Sequence, residues 1–140
     1  MVTHCEDPRE ISRMQKKSAP LRVLVADDEP LIRWSVSETL HDAGHQVVET
    51  GDAQGARGAV RDASRPFDVI ILDLRLPDSS DLSLLASIRK LSPATPVILI
   101  TAYGSPNLAS ATLDLGAYRV LNKPFKLQDL AALVNDAPNH

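Results

Sequence analysis

The sequence predicts an α/β fold, in which a five-stranded parallel sheet carries helices on both faces. Residues 69–72 and 97–100 are short, continuous apolar runs rich in β-branched residues, as is typical of strands buried on both sides in a parallel sheet. Strand and helix patterns alternate five times along the chain, and each crossover between parallel strands is usually made by a helix. The alternation therefore favours a single doubly wound domain.

The composition fits one globular domain and excludes several other classes. Of the 140 residues, 44% are hydrophobic and 24% are charged, and the formal net charge of -3 gives no basic footprint for direct nucleic-acid contact. Cys5 is the single cysteine, which excludes an internal disulfide and a cysteine-based metal site. No apolar run approaches the roughly 18 residues of a membrane span, and the N-terminus lacks an apolar signal core. We therefore expect a cytoplasmic protein without membrane contact.

Three segments are predicted along the chain. Residues 1–20 mix charges of both signs with prolines and show almost no apolar periodicity, so we interpret them as a disordered leader without function rather than as a docking arm. Residues 21–136 carry the alternating pattern and form the predicted domain. Residues 137–140 are predicted to be a short C-terminal tail.

The first half of the domain contains two predicted pairs of strand and helix. In order, they are a strand over 21–26, a helix from 30 to 43, a strand over 45–50 and a helix over 53–63. Pro30 suits the first turn of a helix, where a missing N–H group costs nothing, and Gly44 ends that helix as a C-cap. Asp52 caps the second helix, which is the weaker prediction because Gly55 and Gly58 disfavour helix.

The second half contains three further pairs. They are a strand over 69–72 with a helix through 84–91, a strand over 97–100 with a helix over 106–115, and a strand over 117–121 with a helix over 127–135. Ser80 or Asp81 is placed to cap the third helix, and Gly116 closes the fourth. Pro77 prevents further ladder pairing after the third strand, so Asp73 should stand at the carboxyl end of that strand.

Polar side chains follow four of the five predicted strands. They are Asp27 and Asp28 after the first strand, Asp73 at the end of the third, Thr101 at the end of the fourth and Lys123 after the fifth. The carboxyl ends of parallel strands lie at one edge of a sheet, which is where open α/β sheets bind ligands. We therefore expect these five side chains to converge on one shallow pocket.

This set of side chains predicts metal-assisted phosphoryl transfer. Three close carboxylates repel one another unless a cation neutralises them, and a carboxylate-rich oxygen site is what Mg²⁺ prefers. Asp73 can then be the nucleophile of an in-line transfer, while Lys123 offsets charge on the phosphoryl oxygens and Thr101 donates a hydrogen bond to one of them. The expected product is an aspartyl phosphate.

The same residues carry a resemblance to a known family. They are Asp27-Asp28, Asp73 with Pro77, Thr101-Ala102 and Lys123-Pro124-Phe125, in this order on the strand and helix pattern. The set resembles the receiver domain of two-component response regulators, and residues 31–34, 72–78 and 116–118 are similar in particular to the receivers of nitrogen-regulator-type transcriptional activators. The resemblance covers residues 21–136 and implies a flavodoxin-like (βα)5 fold with strand order 2-1-3-4-5.

The resemblance also implies a role for each residue of the site. Asp28 would be a direct ligand of Mg²⁺ or Mn²⁺, and Asp27 would reach the metal through water. Asp73 would be both phosphoacceptor and ligand, and the backbone carbonyl of Arg75 would complete the ligand set. Thr101 would be the switch hydroxyl and Lys123 the phosphate-binding lysine.

Two features modify the family pattern. Val120 stands three residues before Lys123, where receivers often carry a switch Tyr or Phe, and Tyr118 lies two residues too early for that role. Arg75 and Tyr103 occupy positions whose side chains flank the phosphoryl group in this family. Both are bulky, so we expect them to shield an acyl phosphate from water and slow its hydrolysis.

The leading hypothesis is a phosphorylation-switched signalling module that assists its own phosphorylation and dephosphorylation but is not an enzyme. The implied donor is a phosphohistidine on a sensor histidine kinase or phosphotransfer protein. An output protein or a missing C-terminal effector domain would bind to the surface of the fourth helix, fifth strand and fifth helix, which includes Tyr118, Arg119 and Lys126. A homodimer is also left open. Two alternatives remain: an adaptor that binds without phosphorylation, and an Asp-nucleophile phosphohydrolase, which would need an acid where Arg75 stands.

The remaining titratable residues receive ordinary interpretations. Glu29 is interpreted as a charge that favours a helix N-terminus, and Asp78 as a turn residue. The histidines show no metal-ligand spacing and are expected to be solvated; they are His4, His41, His45 and His140.

Overall fold

The computed structural model describes residues 20–79, 82–102 and 106–139, which contain one parallel sheet of five strands. The strands are β1 (Arg22–Ala26), β2 (Gln46–Thr50), β3 (Val69–Asp73), β4 (Val97–Thr101) and β5 (Arg119–Asn122). They pair in the order β2-β1-β3-β4-β5, and every pair is parallel. The predicted doubly wound sheet with order 2-1-3-4-5 is confirmed.

Helices cover both faces of this sheet. They are α1 (Pro30–Asp42), α2 (Ala53–Asp62), α3 (Ser83–Leu91), α4 (Pro106–Asp114) and α5 (Leu127–Asp136), followed by a 3-10 turn, Ala137–Asn139. Apolar residues of α1 and α5 belong to one core cluster, and those of α2 and α3 belong to the other. Helix α4 contacts β5. None of these five helices is both long enough and apolar enough to cross a membrane.

The adjacent strands β3 and β4 are buried along their whole length. Alternate side chains of each strand point to opposite faces of the sheet. Ile70 and Leu72 pack under α2 and α3, whereas Ile71 packs under α1 and α5. Each fully buried Leu or Ile side chain contributes about 1.5–3 kcal/mol relative to an exposed one, so these strands anchor the edge that carries the site.

The predicted helix boundaries rest on local chemistry that the structure bears out. Gly44 and Gly116, which follow α1 and α4, have φ values of +94° and +97°, a left-handed conformation that glycine adopts without strain. Asp52 caps α2 by accepting a hydrogen bond of 2.6 Å from the Gly55 N–H group. The predicted caps of α3, Ser80 and Asp81, lie outside the described residues, as do residues 1–19 of the predicted leader.

The prediction that His45 is solvated was wrong. The residue is 5% exposed, its Nδ1 accepts a hydrogen bond of 3.1 Å from the Leu21 N–H group, and its Nε2 lies 3.2 Å from Oδ1 of Asn135. His45 thus joins the start of β1 to the end of α5. Its partners are 24 and 90 residues away in the chain, so no local pattern signals the contact.

Candidate acidic site at the sheet edge

The site lies at the carboxyl edge of the sheet, where four strand ends are held in register. Ala26 is paired with Leu72 across β1 and β3, so the residues that follow, Asp27 and Asp73, come side by side. Across β4 and β5, Thr101 is paired with Asn122, and the Lys123 N–H group donates a hydrogen bond of 2.8 Å to the Thr101 carbonyl. Register alone therefore brings the predicted residues to one place.

Lys123 stands at the centre of this arrangement. Its Nζ lies 3.0 Å from Oδ2 of Asp73, 3.4 Å from Oδ2 of Asp27 and 2.6 Å from Oε1 of Glu29, and its side chain is 12% exposed. The contacts of Lys123 with Asp73 and Asp27 are between residues that the sequence analysis predicts to lie together. The third was not predicted, since Glu29 had been interpreted only as a helix charge.

Asp73 is held from two sides. It is 4% exposed, and its two carboxylate oxygens have different partners. Oδ1 accepts a hydrogen bond of 3.0 Å from the backbone N–H group of Arg75, while Oδ2 accepts one from the Lys123 ammonium. Asp73 therefore has a backbone N–H donor on one oxygen and a charged ammonium donor on the other, and the second is the stronger kind of hydrogen bond.

The loop between β1 and α1 supplies three further carboxylates. Asp27 is buried, and its Oδ1 accepts a hydrogen bond of 2.8 Å from the Glu29 N–H group. Its Oδ2 is buried without a hydrogen-bond partner among the described residues. Asp28 and Glu29 are exposed. One carboxylate oxygen from each of Asp27, Asp28, Glu29 and Asp73 lies within 4.8 Å of all the others, so this cluster could hold a metal ion.

Burial and charge act on the titration of two of these groups. Burial raises the pKa of the Asp27 carboxyl, and the Asp73 charge adds to this rise, although the Glu29 N–H group and Lys123 oppose it. Burial by itself lowers the pKa of the Lys123 ammonium, but the hydrogen bonds to Glu29 and Asp73 and the charges of Asp27 and Asp73 outweigh it. The net result is a raised Lys123 pKa, which favours the charged ammonium in the site.

Arg33 on α1 contacts both the acidic loop and β2. Its Nη1 donates a hydrogen bond of 2.7 Å to the backbone carbonyl of Asp27, and its Nε lies 3.4 Å from Oε1 of Glu49 on β2. The Arg33 side chain is 25% exposed. A single guanidinium therefore connects the acidic loop to β2.

Asp78 holds the loop that follows β3. Its two carboxylate oxygens accept hydrogen bonds of 2.7 and 3.0 Å from the N–H groups of Ala53 and Gln54, at the start of α2. The Ala53 hydrogen bond is the main cause of a lowered Asp78 pKa, which the bond from Gln54 reinforces. The sequence marked Asp78 only as a turn residue, because its partners lie 25 and 24 residues earlier in the chain.

The remaining predicted site residues are placed as follows. Thr101 is buried at the end of β4, and the Arg75 side chain is exposed. Val120 is half-buried against the cluster under α2 and α3. Tyr118 packs against the opposite cluster, and the Arg119 guanidinium lies 4.5 Å from the centre of its ring. Tyr103 lies outside the described residues.

A cavity of about 590 Å³ opens beside the acidic cluster. Glu29 and Lys123 form part of its wall, and much of the rest is apolar, contributed by Leu31 and Ile32 on α1 and by Phe125 after β5. Glu29 and Lys123 therefore belong both to the acidic site and to the wall of this cavity.

The fold and the acidic edge define a doubly wound α/β domain with a carboxylate cluster, which could bind a cation, at the carboxyl ends of its strands. Residues 23–135 match the response regulator receiver domain, and the chain belongs to that family. Receiver domains of response regulators are, in general, signalling modules rather than enzymes. The predicted family is confirmed.

Several relatives show the same likeness. The chain is 41% identical over 117 residues to response regulator protein PilR of Pseudomonas aeruginosa, an alignment that covers 83% of this chain and 26% of PilR. It is 36% identical over 118 residues to DNA-binding transcriptional regulator NtrC of Escherichia coli, covering 84% of this chain and 25% of NtrC. The chain thus spans about a quarter of the length of these two relatives.

Solved structures agree on the fold. The beryllofluoride-activated NtrC4 receiver domain dimer matches with a TM-score of 0.77 and 33% identity, over 83% of this chain and 94% of that one. The Francisella response regulator 1452 receiver domain matches with a TM-score of 0.77 and 30% identity, over 84% of this chain and 96% of that one.

Proposed function

We propose that this domain accepts a phosphoryl group on Asp73 from a phosphohistidine of a sensor histidine kinase or phosphotransfer protein. The observation that carries the proposal is the Lys123 ammonium, 3.0 Å from Oδ2 of a nearly buried carboxylate at the edge where parallel sheets bind ligands. A fixed cation at this distance suits the negative charge of an incoming phosphoryl group. Membership of the receiver family supports the same chemistry.

The transfer is a displacement at phosphorus. An Asp73 oxygen forms a new bond to phosphorus as the bond between phosphorus and the histidine nitrogen breaks, and that nitrogen leaves with the electron pair. Lys123 and the Thr101 hydroxyl bind phosphoryl oxygens, while the Arg75 N–H group keeps the second Asp73 oxygen in place. The new bonds to Lys123 and Thr101 draw their loops toward the site, which is the proposed switch.

The acidic cluster fits a resident divalent cation, Mg²⁺ or Mn²⁺. The fit rests on an all-oxygen donor set and on the buried Asp27 Oδ2, which makes no hydrogen bond among the described residues and has an ion pair of 3.4 Å with Lys123. Asp28, Asp73 and the Arg75 carbonyl would hold the ion directly, and Asp27 through water. When bound, the ion supplies positive charge that offsets the repulsion between the carboxylates and the phosphoryl oxygens.

The lifetime of the phosphorylated state is assigned to the two bulky residues that flank Asp73 and Thr101. Arg75 is exposed beside the site, where its side chain can cover an acyl phosphate, and Tyr103 is proposed to do the same. Replacing both, as Arg75→Asn with Tyr103→Glu, should accelerate dephosphorylation. An unchanged or slower rate would refute the shielding role.

Output is assigned to the surface of α4, β5 and α5. Residues 21–136 are proposed as the functional unit, with Thr101 and Val120 at the switch position and with Tyr118, Arg119 and Lys126 contacting an output protein or an effector domain. The relative NtrC is a DNA-binding transcriptional regulator, which supports a cytoplasmic location and such an effector. The NtrC4 receiver was solved as a dimer, which supports homodimerisation as one mode of output.

The test is labelling by acetyl phosphate with and without Mg²⁺, followed by intact-mass measurement. We expect Mg²⁺-dependent labelling of the wild type, none of Asp73→Asn, and wild-type labelling of Asp42→Asn, a matched exposed carboxylate at the far end of α1. Labelling that persists in Asp73→Asn would refute the phosphoacceptor assignment. An unlabelled wild type would favour the phosphorylation-independent adaptor, and sustained turnover of a general phosphate ester would favour a hydrolase.

A further inference from the structure

We propose that Glu29 is a positioning residue that holds Lys123 in the unphosphorylated domain and competes with the phosphoryl group for it. This inference rests on the proposed phosphorylation of Asp73. It assigns Glu29 a role opposite to that of its acidic neighbours, because Glu29 restrains the reaction that they promote.

The first argument is the occupancy of the ammonium. Lys123 has three N–H donors, and hydrogen bonds to Glu29 and Asp73 use two of them, while Asp27 lies 3.4 Å away. A phosphoryl oxygen that approaches Asp73 therefore meets a lysine whose donors already face carboxylates. The phosphoryl group thus competes with these carboxylates for the Lys123 ammonium.

The second argument is the difference in burial between the three partners. The side chains of Asp27 and Asp73 are 2% and 5% exposed, whereas that of Glu29 is 55% exposed. A carboxylate released into water regains its hydration, but a carboxylate left buried without a partner does not. Glu29 is thus the partner that Lys123 can give up at the lowest cost.

The third argument is that the Glu29 side chain does not take part in capping α1. Glu29 occupies the N-cap position of α1, with φ -89° and ψ 108°, but its side chain makes no capping hydrogen bond. Its backbone is fixed separately, since its N–H group donates to Asp27 Oδ1. Rotation of the side chain alone therefore frees Lys123 without moving the acidic loop.

Two substitutions separate the contact from the charge. Glu29→Gln removes the negative charge, and Glu29→Asp keeps the charge but is one methylene too short to preserve the 2.6 Å contact. At saturating Mg²⁺, both should label faster with acetyl phosphate, by about two- to fivefold, the range that the loss of one exposed ion pair allows. Both should also bind beryllofluoride more tightly by a similar factor, which is measured by calorimetry without any phosphoryl transfer. Glu38→Gln, an exposed glutamate on the same helix, is the matched control.

The outcomes distinguish this inference from the proposed function. Faster labelling and tighter beryllofluoride binding in both variants, with Mg²⁺ affinity retained in Glu29→Asp, would support the restraint. Wild-type behaviour of Glu29→Asp, together with lost Mg²⁺ affinity in Glu29→Gln, would overturn it and make Glu29 a contributor to metal binding. Rates equal to those of Glu38→Gln would also overturn it while leaving Asp73 labelling intact. An unlabelled wild type would overturn both.

Discussion

Removing the Arg33 guanidinium should loosen the acidic loop and destabilise the domain. Arg33→Met keeps most of the apolar stem but deletes the 2.7 Å hydrogen bond to the Asp27 carbonyl and the ion pair with Glu49. A hydrogen bond from a charged donor contributes about 1.5–3 kcal/mol to stability, whereas an exposed ion pair contributes about 0.2–1 kcal/mol. Because the guanidinium is partly exposed and water can replace it at the carbonyl, we take the lower values and expect a loss of about 2 kcal/mol.

The assay is urea unfolding followed by circular dichroism, with and without Mg²⁺. Glu49→Gln is the matched control, because it removes only the ion pair and should cost less than about 1 kcal/mol. Since the lost hydrogen bond holds Asp27 in the carboxylate cluster, Arg33→Met should also bind Mg²⁺ more weakly than Glu49→Gln does. If Arg33→Met is no less stable than Glu49→Gln and binds Mg²⁺ equally well, the loop does not depend on this guanidinium.

Three further outcomes are expected. At a Mg²⁺ concentration ten times its Kd, the wild type should gain about 1.4 kcal/mol of unfolding free energy. Asp28→Asn should lose most of this gain. An equal gain in both proteins would show that Asp28 is not a metal ligand. Asp78→Asn should be less stable than the wild type above pH 4. The difference in stability should shrink as the pH falls through the lowered folded-state pKa of Asp78, because protonation of the wild type removes the same hydrogen-bonded charge. A difference in stability that does not change with pH would refute this. His45→Phe should cost about 1–3 kcal/mol in thermal or urea unfolding, since it leaves the Leu21 N–H group without its acceptor, and an unchanged stability would show that water replaces the ring.

The sequence predicts much of the fold because the relevant signals are local. The apolar runs that became β3 and β4 are buried along their whole length, and the glycines after α1 and α4 adopt the left-handed conformation that ends a helix. Even the weak second helix forms, because the Asp52 cap and tertiary packing outweigh the low propensity of its two glycines. The parallel order of the strands then places Asp27, Asp73 and Lys123 at one edge without further information.

The contacts that the sequence did not predict join residues far apart in the chain. Glu29 meets Lys123 across 94 residues, Asp78 caps a helix that begins 25 residues earlier, and His45 reaches Asn135 across 90 residues. Each depends on the length and direction of a side chain after the helices have packed, which apolar periodicity does not encode.

The amino-acid sequence by itself determined which elements form, in what order, and which strand ends carry acid, hydroxyl and ammonium groups, because these follow from nearest-neighbour preferences and from the geometry of a parallel sheet. The tertiary structure alone decided how the charges pair. Asp27 and Asp73 are buried beside Lys123, whereas the Glu29 side chain is largely exposed, and the cost of separating a carboxylate from its partner depends on whether water can reach it.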